Sequence, residues 1–365
     1  MVKRVYVHAY LSGNLGDDLF VRILCRRYPK VQFYLIADKI YKDRFRDLLN
    51  CTVYSEEDRR VRIMDRWLKR FHVEDGFKGF LIRHVSAVIH IGGSAFVQHF
   101  EDWSEFYKLD AYLVKNSRKM FVIGANFGPF TDSFYWKKYS GLFRCYRGIC
   151  FRDSYSWQLF KDIPHVSWAP DVVFCMKADL SVKKRKVVVA PIELQHRTGK
   201  YNVSGYENDY LNFHVRTIKY LIRQGYDITL LSFCQFQQDD SMIQKICDCL
   251  TEKEKNAVFC MAYRTDCQPV LKEFSESEAV IGTRFHSIIL GFLYQCRVLP
   301  LIYDLKTEKM LQDLGQPLSL HLGELNKVNI ADIVKRWMEA DKPDVSVLEE
   351  KAERQFQYTD DFLAG

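Results

Sequence analysis

Arg284 and His286 stand two residues apart within residues 282–287. Guanidinium and imidazole groups bind anions, and a histidine also exchanges protons near neutral pH. The apolar residues before Gly282 predict a short buried strand, and the uncharged stretch from Ser287 to Leu293 predicts a buried helix. Because ligands of α/β proteins bind at strand carboxyl ends and helix N-termini, this pattern predicts a site for an anionic ligand.

A structural role is the alternative for the same two residues. A buried arginine can form an ion pair with a carboxylate, and the histidine can cap its own helix. No acid lies in the turn, and the nearest one, Glu278, is at the far end of the predicted strand. Because an unpaired buried guanidinium is costly, the sequence favours a ligand as the missing counter-charge.

The turn at residues 13–18 reads Gly-Asn-Leu-Gly-Asp-Asp and follows the first predicted strand. Its glycines let the backbone approach a ligand, and carboxylates suit sugar hydroxyls or proton transfer better than they suit phosphate. Asn14 and Asp17 are therefore candidates for binding the hydroxyls of a sugar acceptor, and Asp17 or Asp18 is a candidate base. The alternative is a tight turn in which an aspartate caps the helix.

A second glycine turn contains Gly92, Gly93 and Ser94 and follows another buried strand. Adjacent glycines clear room either for a ligand or for close packing with a neighbouring segment. Residues 124–129 form a third turn of this kind. The second turn is assigned to acceptor binding as a hypothesis.

Two further basic residues follow predicted strands. Arg152 comes directly after the strand at residues 148–151, with Asp153 beside it as a partner for a structural salt bridge. Lys306 follows the strand next along the chain from the Arg284 turn, together with Tyr303, and the alternative for this segment is a solvated loop without a site. Both are candidates for binding an anion.

Strand and helix patterns alternate through nearly the whole chain, which predicts parallel sheets with crossover helices. The alternation occurs twice, so we expect an α/β protein with two doubly wound Rossmann-like domains that face each other across a cleft, the GT-B-like architecture. Predicted strands are residues 5–9, 33–37, 85–91, 120–125, 148–151, 187–191, 228–233, 258–262, 279–282 and 298–303.

A charged run at residues 183–186 marks the predicted domain boundary. Residues 1–178 form the expected N-terminal domain, on the acceptor side, and residues 186–342 form the C-terminal domain, which carries the Arg284 turn. We expect residues 343–365 to form a helix that packs back across the hinge.

Composition limits the classes of protein to consider. The 365 residues are 48% hydrophobic, enough for two cores, and carry a net charge of +7, too weak an excess to indicate nucleic-acid binding. The eleven cysteines form no C-x-x-C pair, which favours reduced thiols over a metal site or disulfides. No targeting peptide or spanning apolar segment is recognisable, so we expect a cytoplasmic protein, soluble or peripheral to a membrane.

The order of these motifs resembles that of the polysaccharide pyruvyltransferase family. Arg-x-His at residues 284–286 followed by Tyr-x-x-Lys at 303–306 is similar to the family's C-terminal signature. The segments 13–18, 92–93, 128–130, 152–153 and 169–171 fall in the family's order, so the resemblance spans most of the chain. It implies a GT-B-like fold and transfer of pyruvate from phosphoenolpyruvate to two hydroxyls of a sugar, which forms a ketal and releases phosphate.

Carried over to this chain, the resemblance implies that Arg284, His286 and the main chain of Phe285 bind phosphoenolpyruvate, with Arg152 and Lys306 as further cations. The donor's carboxylate and phosphate each suit an arginine fork. His286 is the predicted general acid for the enol carbon. No metal or cofactor is expected, because the cations can supply the counter-charge.

Residues 59–71 predict a helix with apolar residues on one face and six cations among the rest. Such a helix can lie on an anionic membrane at the inner face of the cell, which would suit a lipid-linked precursor of an exopolysaccharide or capsule. The alternative is a surface helix docked on its own sheet through Val61, Met64, Leu68 and Phe71.

Two other functions fit the same architecture. A GT-B glycosyltransferase would use a nucleotide sugar, whose ribose requires an acidic residue where the C-terminal turns carry arginine, histidine and lysine. A non-catalytic protein that binds sugar phosphates is the second alternative.

Overall fold

The computed structural model describes residues 2–73, 75–98, 100–195, 202–342 and 344–364. Residues 343 and 365, which bound the predicted C-terminal helical segment, therefore lie outside the described part. The chain divides into two compact units. Unit 1 contains the chain up to Leu11, Asp17–Cys175 and the residues from Glu349 onward, and unit 2 contains Ser12–Gly16 and Met176–Leu348.

Unit 1 is built on a seven-stranded sheet in the order β3-β2-β1-β4-β5-β6-β7, in which neighbouring strands pair in parallel. The strands are β1 (Arg4–Ala9), β2 (Gln32–Ile36), β3 (Cys51–Tyr54), β4 (Ala87–Ile91), β5 (Met120–Ala125), β6 (Gly148–Phe151) and β7 (Val166–Trp168). The helices between them are α1 (Leu15–Arg27), α2 (Ile40–Arg44), α3 (Arg59–Arg70), α4 (Gly76–His84), α5 (Ser104–Asn116), α6 (Ser133–Phe143) and α7 (Ser154–Phe160).

Unit 2 has a six-stranded parallel sheet in the order β10-β9-β8-β11-β12-β13. Its strands are β8 (Lys184–Ala190), β9 (Asp227–Ser232), β10 (Val258–Ala262), β11 (Ser277–Gly282), β12 (Arg297–Ile302) and β13 (Leu320–His321). Its helices are α8 (Glu207–Arg223), α9 (Asp239–Asp248), α10 (Glu252–Lys255), α11 (Gln268–Glu276), α12 (Phe285–Leu293), α13 (Leu305–Asp313) and α14 (Ile330–Glu339), and the chain ends with α15 (Val345–Ala352) and α16 (Gln357–Leu363).

The two doubly wound Rossmann-like units confirm the predicted fold class. Every residue of β4 and β5 is buried, as parallel strands covered on both faces require. Strands β3, β7 and β13 were not predicted. They lie at sheet edges, and β3 has no fully buried residue, so its sequence lacks the continuous apolar run that identified the central strands.

The glycine turn after β1 departs from the predicted domain limits. Residues 12–16 group with unit 2, although they were predicted to lie in the first domain. The Leu15 amide donates to the Phe233 carbonyl at 3.3 Å, and Asn14 forms an antiparallel bridge with Cys234. Pairing with the chain after β9 therefore decides where this turn lies, a long-range contact that its local pattern does not contain.

The C-terminal segment from Glu349 packs on unit 1, where Gln355 is 1% exposed. Its side-chain oxygen accepts from the Gly124 amide at 2.9 Å, and its nitrogen lies within 3.0 Å of the carbonyls of Phe151, Ala169 and Pro170. One amide side chain thus satisfies backbone groups at the ends of β5 and β6 and after β7.

Replacing Gln355 with alanine is expected to lower the free energy of unfolding by about 2–4 kcal/mol, because it leaves several buried backbone groups unsatisfied. Urea denaturation, followed with a probe located in unit 1, measures the change in the free energy of unfolding. The exposed Lys351 provides the control, since Lys351→Ala should stay within about 0.5 kcal/mol of the parent. Equal effects of the two substitutions would contradict the anchoring role of Gln355.

Candidate functional site

Arg284 directly precedes α12, two residues after the end of β11, and is 5% exposed. Its Nε donates to Oδ2 of Asp239 at 2.8 Å, and a terminal nitrogen donates to the other oxygen of the same carboxylate. Gln237 accepts from the second terminal nitrogen. The counter-charge that was expected to be a ligand is therefore a protein carboxylate from the turn after β9.

Asp239 is fully buried at the start of α9 and also accepts from the Cys234 amide at 3.0 Å. Burial opposes the charge on Arg284, but the Asp239 carboxylate outweighs burial and raises the pKa of Arg284 above its usual value. The result is a permanently charged guanidinium in a fixed orientation. Neither Gln237 nor Asp239 was predicted as a site residue, and the one local signal was an aspartate at a helix start.

His286 lies in the first turn of α12, is 6% exposed, and packs against the backbone of Gly16. A Cβ placed on Gly16 would lie 1.8 Å from Nδ1 of His286, so a larger residue does not fit while the imidazole stays in place. The Asn14 side chain accepts from the Gly16 amide at 3.0 Å and holds the turn. Asn14, expected on the acceptor side, therefore lies with the Arg284 and His286 turn in unit 2.

Asp18 was a candidate base, and the structure gives it another role. It is fully buried, and its Oδ2 accepts from Arg44 at 2.6 Å, with Arg44 1% exposed. Protonating Asp18 would leave a buried guanidinium without its counter-charge, which makes it unsuited to accept a proton. Asp17 is half-buried in the first turn of α1 and stays a prediction.

Arg152 is the centre of a polar cluster in unit 1. One terminal nitrogen lies 3.2 Å from Asp171, and the other donates to the Asn126 side chain at 2.6 Å. Asp153, the neighbour considered as its salt-bridge partner, accepts from the Ser156 amide and caps α7. Four turns that appeared as separate motifs, after β4, β5, β6 and β7, thus meet at one guanidinium.

The second glycine of the turn after β4 makes this cluster possible. A Cβ on Gly93 would lie 2.4 Å from a terminal nitrogen of Arg152, and the Gly93 carbonyl accepts from the Asn126 amide at 2.8 Å. Gly92 has φ of 142°, a backbone conformation that favours glycine. The space expected for a ligand at Gly93 is occupied by the protein's own arginine, while Ser94 is half-buried in the same turn.

Lys306 lies in the first turn of α13, with its Nζ 3.4 Å from Asp304, which caps that helix through the Thr307 amide. Beside it, at the carboxyl ends of β12 and β13, is a cavity of about 280 Å³. Its polar walls include Tyr206, Tyr303, Glu308 and His321. The cavity is large enough for part of a small ligand, and its acids were not anticipated.

His8, His90 and Asp110 form a group in unit 1 that could hold a metal ion, with ligand atoms within 4.8 Å of one another. The two histidines are register partners on β1 and β4. Burial, His90 and Lys78 lower the pKa of His8 well below its usual value, which keeps a neutral imidazole. Tyr139 donates to Asp110 at 2.8 Å. The expectation that no metal is needed did not anticipate this group.

The turns described in unit 1 and in unit 2 lie within a segment that matches a known protein family. The model of the polysaccharide pyruvyl transferase family matches residues 14–304. This chain belongs to that family. The match contains residues 14–18, the glycine turns at 92–94 and 124–129, Arg152 and the whole Arg284 turn, and it confirms the resemblance drawn from the sequence.

The amylovoran biosynthesis protein AmsJ of Erwinia amylovora is a relative of this chain. The two are 22% identical over 375 residues, with 87% of each chain covered. Solved structures similar to the pyruvyl transferase chain include HepE of Anabaena in complex with UDP-glucose, with a TM-score of 0.57 and 10% identity, covering 98% of this chain and 100% of that one. TarM has a TM-score of 0.54 at 10% identity, covering 98% and 95%. At such identities the similarity to solved structures shows the fold alone.

Gly16→Ala is expected to displace the His286 imidazole, because the added methyl group would overlap Nδ1, and to lower stability by about 1–3 kcal/mol through overpacking. The imidazole resonances in NMR spectra and the melting temperature measure the two effects.

Gly141 in α6 is the matched control, since a Cβ there meets no atom within 4 Å. Gly141→Ala should be neutral or stabilising by up to about 1 kcal/mol, because alanine is the better helix former. Unchanged His286 resonances in Gly16→Ala would show that the turn does not hold the imidazole in place.

Proposed function

We propose that this protein transfers pyruvate from phosphoenolpyruvate to two hydroxyls of a sugar, forming a pyruvate ketal and releasing phosphate. The observation that carries the proposal is the contact between Gly16 and His286, because it joins the N-terminal and C-terminal motifs of the pyruvyl transferase family in one place. Family membership supports the pyruvyl group, and the buried cations support an anionic donor.

Donor binding rests on Arg284, His286 and the N-terminal end of α12 in unit 2, with Lys306 as a further cation, and a donor role for Arg152 of unit 1 stays a prediction. Phosphoenolpyruvate brings a carboxylate and a phosphate, and an arginine fork meets either with paired hydrogen bonds. The structure changes the argument for Arg284: its charge is already matched by Asp239, so the proposed role is a pre-oriented guanidinium beside the donor rather than an unpaired cation awaiting one. Preorganisation of this kind favours transition-state stabilisation.

The proposed reaction adds two oxygens to one donor carbon. A proton passes from His286 to the methylene carbon, and the neighbouring carbon becomes electrophilic. The first sugar oxygen bonds to that carbon, the carbon–oxygen bond to phosphate breaks, and the second sugar oxygen closes the ketal. The two hydroxyl protons balance the methyl group formed and the released phosphate, one going to each. Asp17 is the proposed base for a hydroxyl.

The proposed acceptor is a glycan of a cell-surface or capsular polysaccharide, or its lipid-linked precursor. The relative AmsJ, named for amylovoran biosynthesis, supports a polysaccharide. We propose a cytoplasmic location, because all eleven cysteines are free thiols, as is usual in a reducing compartment. Asn14, Asp17, Gly92, Gly93 and Ser94 were predicted to bind the acceptor, and the closeness of Gly93 to Arg152 makes a positioning role for that glycine the better proposal.

Replacing His286 with glutamine is expected to leave the affinity for phosphoenolpyruvate within about fivefold while phosphate release falls by about 100-fold or more, because general acid catalysis contributes that much. Calorimetry gives the affinity, and phosphate release with a panel of acceptor glycans gives the rate. Near-normal turnover would remove His286 as the acid. Binding of UDP-glucose without binding of phosphoenolpyruvate would instead support a glycosyltransferase.

Arg284→Lys is expected to weaken donor binding by about tenfold or more and to lower the free energy of unfolding by about 1–3 kcal/mol, because lysine cannot reproduce the bidentate contact with Asp239. Arg297→Lys is the matched control: Arg297 pairs with Glu278 at 3.3 Å in a partly exposed position, where the change should stay below about 1 kcal/mol. Loss of stability with unchanged donor affinity would make Arg284 purely structural.

A further inference from the structure

Helix α3 is largely uncovered by the rest of unit 1. Of its twelve residues, Val61 is buried and Asp65 and Leu68 are half-buried, and these three point to one side of the helix. Asp65 is fixed there by the Phe77 amide at 3.0 Å and by Lys69 at 2.7 Å. Val61 and Leu68 were predicted to dock the helix, and they do, whereas Met64 and Phe71, predicted on the same face, are exposed.

The exposed surface of the helix contains a stripe of large apolar side chains. Trp67 is 64% exposed, Phe71 61%, Ile63 52% and Met64 41%. With 3.6 residues per turn these four lie side by side, and the ring centroids of Trp67 and Phe71 are 4.6 Å apart. Single exposed apolar residues are ordinary, but a contiguous stripe containing two aromatic rings indicates a surface that another phase or molecule covers.

The remaining exposed positions are cationic. Arg62, Arg66 and Arg70 lie along one flank of the apolar stripe, and Arg59 and Arg60 stand at the N-terminal end. Within the described part of the chain, no carboxylate forms an ion pair with any of these five arginines. Lys69 is the one cation of the helix with an acidic partner, Asp65. The uncovered surface therefore has one strongly basic half and one apolar half.

We propose that α3 binds the surface of an anionic lipid bilayer, with the apolar stripe in the boundary between headgroups and acyl chains and the arginines at the headgroups. A tryptophan and a phenylalanine beside arginines are the side chains that interfacial helices use. A second copy of the chain is a poorer occupant, because a twofold contact through this stripe would bring the five arginines of one copy close to those of the other. Among the described residues, no helix is both long and apolar enough to span a membrane.

Sedimentation with vesicles tests the proposal without donor or acceptor, so its outcome does not depend on the proposed pyruvyl transfer. We expect binding to phosphatidylcholine vesicles that contain phosphatidylglycerol, little binding to phosphatidylcholine alone, and weakening at high salt. Trp67 fluorescence should be quenched by brominated lipid, and Trp67→Phe should remove that quenching while binding persists.

Two double variants separate the contributions. Trp67→Ser with Phe71→Ser, and Arg62→Glu with Arg66→Glu, should each lower the vesicle partition coefficient by about tenfold or more. The controls change exposed residues elsewhere: Leu49→Ser with Val182→Ser, two apolar side chains even more exposed than the tested pair, and Lys335→Glu with Arg336→Glu for the charges. The controls should bind within about twofold of the parent, since they lie outside the stripe.

Three results would overturn the proposal. The first is the absence of salt-sensitive binding to anionic vesicles. The second is an equal loss of vesicle binding in the control variants, which would mean that net charge or non-specific hydrophobic adsorption causes binding. The third is a concentration-dependent dimer that the Trp67 and Phe71 variant abolishes without any vesicle binding by the parent, which would make the stripe an interface between copies.

Discussion

The ion pair between Arg284 and Asp239 is the interaction on which the C-terminal site depends. It joins the turn after β11 to the start of α9, and so ties together two regions at the carboxyl edge of the unit 2 sheet whose strands, β11 and β9, lie on either side of β8. Burying either charged group without the other would cost free energy, because an unpaired buried charge loses its hydration without compensation. The pairing of the two groups therefore holds the two turns together. Unit 1 uses the same device twice, with Arg152 beside Asp171 and Arg44 beside Asp18. Arg152 and Arg284 therefore each have a carboxylate of the protein as counter-charge, and neither presents an unmatched positive charge.

The glycines in the turns after β1 and β4 have a structural role that cannot be recognised from their sequence motif. A glycine next to a strand end suggests room for a ligand, and both Gly16 and Gly93 instead make room for a side chain of the protein, His286 in one case and Arg152 in the other. Gly16 adopts a backbone conformation open to other residues, so space rather than φ requires glycine there. The motif thus leaves room for a candidate site side chain far away in the sequence.

The sequence predicted most of the fold because the central strands are buried on both faces and read as continuous apolar runs, whereas β3, β7 and β13 lie at sheet edges and leave no such pattern. It also located the turns that carry Arg152, Arg284 and His286, since strand ends are visible locally. It did not predict Asp239, Asp171 or the contact between Gly16 and His286, because partners across a sheet depend on strand order, which local patterns do not specify. The inference that Arg284 lacked a protein counter-charge failed for this reason: a search of its own turn could not find an acid 45 positions away.

Gln355 has a consequence for the order in which the chain is completed. Unit 1 contains both the first strand and the last helical residues, and the Gln355 side chain satisfies backbone groups at the ends of β5 and β6. During synthesis, all of unit 2 up to Leu348 is made before this residue emerges. The unit that is begun first is therefore finished last, and until Gln355 is in place the backbone groups of Gly124, Phe151, Ala169 and Pro170 lack the partner that it supplies.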